Sequence, residues 1–214
     1  MHPGPRIPGR APVAQAVRCA VLALCALSAA AGCSVRLSYT GGARAVQPAA
    51  LDAGWLRAAP TPVVRQRSQN DCGLAALAMI AGAWGQTWTL DELVREARAT
   101  ERGVKLGALR DLARARGFEA YAIAGAHDDL RRELAAGRPV LVGLVLPLEL
   151  KRGVHHYEVA IALDPRDGSV ITLDPASGRH LRRTRQVLDA EWEAAGRATL
   201  VVVGPSTAHA GAGA

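Results

Sequence analysis

Cys72 stands in the run Gln66-Arg67-Ser68-Gln69-Asn70-Asp71-Cys72-Gly73, which leads directly into an apolar stretch rich in Ala and Leu. If that stretch is a helix, Asn70 or Asp71 caps it and Cys72 falls in its first turn. A thiol there faces the positive end of the helix dipole and several unsatisfied amides, both of which favour thiolate over thiol. The chemistry implied is nucleophilic attack. Gly73, with no side chain, permits close approach of a substrate backbone. The competing reading is a small apolar residue opening a core helix, which suits a cysteine flanked by Asp71 and Gly73 less well.

A thiolate nucleophile needs a base within hydrogen-bond reach and a third group to orient that base. His2 and His209 lie near the chain ends, and His127 and His180 read as loop residues. His155 and His156 instead open the run His155-His156-Tyr157-Glu158-Val159-Ala160-Ile161-Ala162-Leu163, which alternates as a strand. Tyr157, Val159, Ile161 and Leu163 make one continuous large apolar face, and His156, Glu158, Ala160 and Ala162 share the other. The small-residue face leaves room for a helix end or substrate, so His156 is preferred to His155; a slip of one residue reverses the choice. The turn Asp164-Pro165-Arg166-Asp167-Gly168 folds the next strand back. With Leu163 opposite Ser169, Asp174 lies opposite Glu158 and diagonal to His156, where a carboxylate orients the imidazole. Glu158 competes for that role with worse reach, and Asp174-Pro175 also reads simply as a strand-ending turn.

These residues need a framework. Leu74 to Trp84 is apolar all round and reads as a buried helix. Thr89-Leu90-Asp91-Glu92 opens a second helix through Arg98, and Lys105 to Arg116 forms a third that Gly117 stops. Phe118 to Ile123 reads as a strand and Asp128 to Ala136 as a short helix closed by Gly137. Strands follow at Pro139 to Leu146, His155 to Leu163, Ser169 to Asp174 and Thr199 to Val203, with a helical piece from Gln186 to Ala194. Helices first and an antiparallel sheet after them make an α+β domain.

The chain has 214 residues and a formal charge of +7, carried almost wholly by arginine, since only Lys105 and Lys151 are lysines. The arginines are dispersed and aromatic residues are 4% of the chain, so nucleic-acid binding is not expected. Residues 1–33 contain Arg6, Arg10 and Arg18, no acid, and the apolar run Ala20 to Ala31, the order of a secretory signal. The run is too short for a stable transmembrane helix. It ends in Ala30-Ala31-Gly32-Cys33, which resembles the bacterial lipobox with Ala30 where a branched residue is preferred. That resemblance implies lipid on Cys33. Ser34 after it implies the outer membrane facing the periplasm if the cell is Gram-negative. Cys19 and Cys25 then leave with the signal, and Cys72 becomes the only free thiol of a protein in the cell envelope. Residues 34–62 read as a flexible tether, 63–204 as one compact domain and 205–214 as a loose tail.

Taken together, the motifs resemble the papain-like bacteriocin-leader peptidases, the double-glycine peptidase domain found at the front of peptide-exporting ABC transporters. Gln66 precedes Asp71-Cys72-Gly73 at the family's spacing, and Leu74 to Ile80 supplies the Ala/Leu-rich helix. Gly103 to Ile123 resembles the family's central stretch. His156-Tyr157 through Ile161, Asp174-Pro175, Glu191-Trp192 and Leu200 to Val203 match the later motifs in order. The resemblance, here in a stand-alone lipoprotein, covers about Val64 to Val203. It implies a papain-like cysteine peptidase fold, with N-terminal helices packed on a C-terminal antiparallel sheet. It implies Cys72 as nucleophile, His156 as base and then acid, and Asp174 as orienter. Gln66 is implied as a side-chain donor to the oxyanion, beside the Cys72 backbone amide.

Glu158 departs from the family pattern, which favours an apolar residue there. The implied activity is cleavage of a peptide bond after Gly-Gly in a leader peptide, with no cofactor and no metal. The implied partners are the peptide substrate, a membrane reached through the lipid, and a peptide-export ABC transporter. The alternatives are a non-catalytic peptide-binding domain of the same fold and a cell-wall amidase.

Overall fold

The structure is a computed structural model that describes residue 4 and residues 40–47, 51–97, 103–148 and 151–205. Apart from residue 4, the expected signal segment, with the lipid site at Cys33, and the expected tail beyond Pro205 lie outside the described residues. Among the described residues there are five helices: α1 Cys72–Ala83, α2 Leu90–Ala97, α3 Leu106–Ala115, α4 His127–Ala135 and α5 Arg185–Ala194. Eight strands join them: β1 Arg44–Val46, β2 Leu56–Arg57, β3 Phe118–Ala124, β4 Val140–Leu148, β5 Lys151–Leu163, β6 Val170–Leu173, β7 His180–Arg183 and β8 Ala198–Pro205. None of the described helices is long and apolar enough to cross a membrane.

All strand pairs are antiparallel, in the order β1-β7-β6-β5-β4-β8-β3, with β2 added against β5. The α+β architecture read from the sequence is the one observed. Period-two alternation along β4 divides the core. Leu141 faces α1, α2 and α3 together with Val159, Leu173, Leu200 and Val202. Val140, Val142 and Leu144 face α4 and α5, where Leu130, Leu134, Leu188 and Trp192 pack. The sheet is therefore covered on both faces, which its mostly apolar strands require. Thr89 and Glu92 cap α2 reciprocally: the Thr89 amide donates to Glu92 Oε2 at 3.0 Å and the Glu92 amide to Thr89 Oγ1 at 3.3 Å.

Part of the stretch expected to be a tether is strand. β1 pairs with β7 and β2 with β5, and these two pieces are three and two residues long. So short a segment carries no readable period, and only its neighbours make it a strand.

The register between β5 and β6 departs from expectation at one point and returns at the next. Leu163 pairs with Val170 rather than Ser169, but the register shifts between Ala160 and Ala162, so that Val159 pairs with Leu173. Ile161 is the extra residue of a β-bulge, and it restores the offset that sets Asp174 beside Glu158. The bulge also breaks the continuous apolar face. Tyr157 and Val159 pack toward α1, whereas Leu163 joins Ala160 on the side of α4 and α5.

Candidate active site

The body of α1 is buried from Cys72 to Ala81, so its N-terminus enters the interior with the thiol. The first helical bond runs from the Ala75 amide to the Asp71 carbonyl at 2.9 Å. Asp71 occupies the cap position, yet its carboxylate is turned back to the Ser68 amide at 3.1 Å and makes no cap bond. Two expectations need correction here. Gly73 does not open space for a substrate, because a Cβ there would meet Leu109 Cδ1 at 2.9 Å and Tyr157 Cδ2 at 3.0 Å. The glycine lets the Tyr157 ring and α3 close against the thiol's helix. The small-residue face of β5 also does not receive α1, which packs on the Tyr157 and Val159 side because Leu74, Leu77 and Ile80 join that apolar cluster.

His156 is buried and His155 is exposed. His156 Nε2 lies 2.7 Å from Asp174 Oδ1. An ionised carboxylate only accepts, so Nε2 is the donor and Nδ1 is the ring nitrogen left for the Cys72 sulfur. Burial alone would lower the imidazole pKa. The hydrogen bond to Asp174, the neighbouring Cys72 and the charge of Glu158 outweigh it and raise the pKa to about 10. Asp174 moves the opposite way: burial raises it, but His156, Ser177 and the Ala176 amide together hold it down to about 2.

The turn that carries Asp174 explains its precision. Asp174-Pro175-Ala176-Ser177-Gly178 repeats the pattern of Asp164-Pro165-Arg166-Asp167-Gly168, and both close through the glycine amide on the aspartate carbonyl, at 2.8 and 2.9 Å. Gly178 has φ +68°, a conformation other residues adopt only with strain. Inside the turn the Asp174 carboxylate accepts from the Ala176 amide (2.9 Å), the Ser177 amide (3.0 Å) and Ser177 Oγ (2.6 Å). The strand-ending turn and the carboxylate bonded to His156 are thus one feature.

Gln66 is drawn to the same turn, since its backbone amide donates to the Pro175 carbonyl at 3.0 Å. Arg65 reinforces the link by donating to the Ala176 carbonyl at 2.9 Å. One side-chain N–H of Gln66 donates to the Ser68 carbonyl at 2.9 Å, and Oε1 is buried with no partner among the described residues. His127 opens α4 and pairs with Asp189 at 3.0 Å, and His180 begins β7, so neither lies in a loop as expected.

Residues 60–202 match the sequence pattern of the peptidase C39 family. The chain belongs to that family. Two relatives come from Escherichia coli. A microcin-H47 secretion/processing ATP-binding protein is 30% identical over 129 residues, and a colicin V secretion/processing ATP-binding protein is 36% identical over 134. The matches take in 60% and 62% of this chain but only 16% and 17% of those proteins. Among solved structures, a C39-like peptidase of Bacillus anthracis has a TM-score of 0.59 at 19% identity, over 72% of this chain and 99% of that one. The peptidase domain of Streptococcus ComA, a bi-functional ABC transporter, has 0.55 at 21%, over 68% and 99%. A double glycine motif protease from an AMS/PCAT transporter, in complex with its leader peptide, has 0.55 at 18%, over 70% and 95%. These structures share the fold.

In this C39 chain a second buried cluster lies beside His156, and its key residue, Arg183, carries no signal in the sequence. Arg183 is fully buried and grips Glu158 with both forks, Nη1 to Oε2 at 2.7 Å and Nη2 to Oε1 at 2.9 Å. Its Nε donates to Glu191 Oε2 at 2.7 Å. Thr172 Oγ1 donates to Glu158 as well. His156, Glu158 and Asp174 present ligand-type atoms within 4.8 Å of one another, the only such group among the described residues. That group does not suit a cation. Glu158 is taken by a guanidinium, and Asp174 by three donors of its own turn besides the imidazole.

Proposed function

We propose that this chain is a cysteine peptidase acting on a peptide with a Gly-Gly pair, and that Cys72, His156, Asp174 and Gln66 carry the reaction. The observation that supports this most is the buried imidazole of His156, held through Nε2 by the Asp174 carboxylate at 2.7 Å, with Cys72 at the start of α1 as its other titratable neighbour. The sulfur attacks the scissile carbonyl carbon. The oxyanion takes hydrogen bonds from the Cys72 backbone amide and from the Gln66 carboxamide, which has a second N–H beyond the one given to Ser68. His156 gives its proton to the leaving amine as the C–N bond breaks, then removes one from the water that releases the acyl group. Asp174 keeps the ring aligned throughout.

The substrate class rests on the company the chain keeps. Its relatives are secretion/processing proteins, and one solved neighbour is a double glycine motif protease. The reading extends to a peptide-export ABC transporter as partner. Incubating the full chain with a Gly-Gly leader peptide, and separately with purified cell wall, tests it by mass spectrometry. A cut after Gly-Gly is expected. Release of amines from cell wall instead makes the protein an amidase, and no cleavage of either leaves a peptide-binding module.

The anchored location is part of the same proposal and rests on Ala30-Ala31-Gly32-Cys33. Radiolabelled palmitate should enter the protein and vanish from Cys33→Ser, which should leave the membrane fraction. Equal labelling of both removes the lipid anchor from the account.

A further inference from the structure

The cluster behind the base is more than a structural rivet. Glu158 stands two residues from His156 on the same face of β5, with a carboxylate oxygen within 4.8 Å of a ring nitrogen of the base. Both of its oxygens are pinned by Arg183, and Thr172 Oγ1 adds a third donor. A carboxylate so held cannot turn away from the imidazole or take up solvent. Arg183 is itself shared: Glu191 takes its Nε, and its Nη2 also reaches the Thr40 carbonyl at 3.3 Å. Glu191 in turn accepts from the Gly42 amide at 2.6 Å. Two carboxylates therefore divide one guanidinium, and the residual field of the cluster is negative.

We propose that Glu158 is a positioning residue of the catalytic base: clamped by Arg183 and Thr172, it sets a fixed negative charge behind the ring and keeps His156 in its cationic form. This rests on the peptidase reading above. A single carboxylate, Asp174, would already orient the ring. The second supplies field without competing for Nε2, because Arg183 and Thr172 hold both of its oxygens in place. The groups facing the imidazole are Cys72 from α1, Asp174 from the β6–β7 turn and Glu158 from β5 itself. Arg183 of β7 and Glu191 of α5 stand behind Glu158. The β4 residue paired with His156 is Leu144, which carries no charge. Glu158 is the group whose charge can be removed while the hydrogen bonds to the ring are left in place.

The sign of the effect follows from the charge. Neutralising Glu158 withdraws stabilisation from imidazolium and not from imidazole, so the ring gives up its proton at lower pH. The test is an NMR titration of the full chain with 15N-labelled histidine, the His156 signal being assigned from its loss in His156→Ala. Glu158→Gln should lower the His156 midpoint by about one to three pH units. The alkaline limb of peptide cleavage should fall with it. Glu158→Asp, which keeps the charge, should stay near wild type. A purely structural role would lower the melting temperature of both variants and leave the midpoint in place, and an unmoved midpoint in Glu158→Gln overturns the proposal. Should Glu158→Gln not fold, the triple exchange Glu158→Leu, Arg183→Leu and Glu191→Leu, which leaves no buried charge of the cluster behind, is titrated in its place. A lower midpoint supports the proposal and an unchanged one overturns it. A wild-type midpoint at the ordinary 6.5 would be a different failure, that of the ion pair on which the peptidase reading stands.

Discussion

Replacing Cys72 by alanine is expected to lower Gly-Gly peptide cleavage by a factor of roughly 10⁴ or more, and His156→Ala by a similar factor. The two losses should not multiply in the double variant, because sulfur and imidazole act as one unit and either alone is nearly inert. A thiol-reactive probe separates their roles. In wild type, labelling of Cys72 should depend on His156, whose pKa is raised by Asp174, Cys72 and Glu158 to about 10. In His156→Ala the low-pH arm of the labelling curve should disappear, with the high-pH arm retained. Labelling indifferent to His156, or cleavage surviving Cys72→Ala, would take the chemistry away from this pair. Because Cys72 is the one free cysteine among the described residues, the label reports on a single sulfur there.

Those expectations were open to sequence reasoning because the site is built from local patterns. An all-apolar helix preceded by Asp71-Cys72 fixes where a thiol meets a helix start, and strict alternation in β5 separates His156 from His155. The structure places the first at the start of α1 and buries the second while leaving His155 exposed. Counting residues across the turn reaches the observed position of Asp174 only because the bulge at Ile161 cancels an offset of one. Nothing in the residues 160 to 163 announces that bulge, since Ala-Ile-Ala-Leu alternates equally well without it. The missed elements share a cause. β1 and β2 are too short to show a period, and β7 reads His180-Leu181-Arg182-Arg183, a charged run that looks solvated. Burial of Arg183 is a tertiary fact: it depends on Glu158 and Glu191 arriving from β5 and α5, far apart in the chain. Gly73 shows the same limit, because its side-chain space is claimed by Leu109 and Tyr157 from two other elements.

That buried arginine carries a large stability effect. Removing one partner of a buried ion pair leaves its counter-charge unpaired, at a cost of about 3–5 kcal/mol. Arg183→Leu strands two carboxylates at once, Glu158 at 0% and Glu191 at 4% exposure. Their remaining donors, Thr172 and the Gly42 amide, supply no charge. A domain of this size should melt roughly 10 °C or more below wild type. Arg183→Lys should fall between the two, because a single ammonium cannot bridge both oxygens of Glu158 while also reaching Glu191. The triple exchange Glu158→Leu, Arg183→Leu and Glu191→Leu should recover most of the lost stability, since it removes every buried charge of the cluster together. It should not recover the raised titration of His156. Melting of Arg183→Leu within a degree of wild type would mean that water or a rearranged strand reaches the two carboxylates. Glu158 could not then act as a fixed charge behind the base.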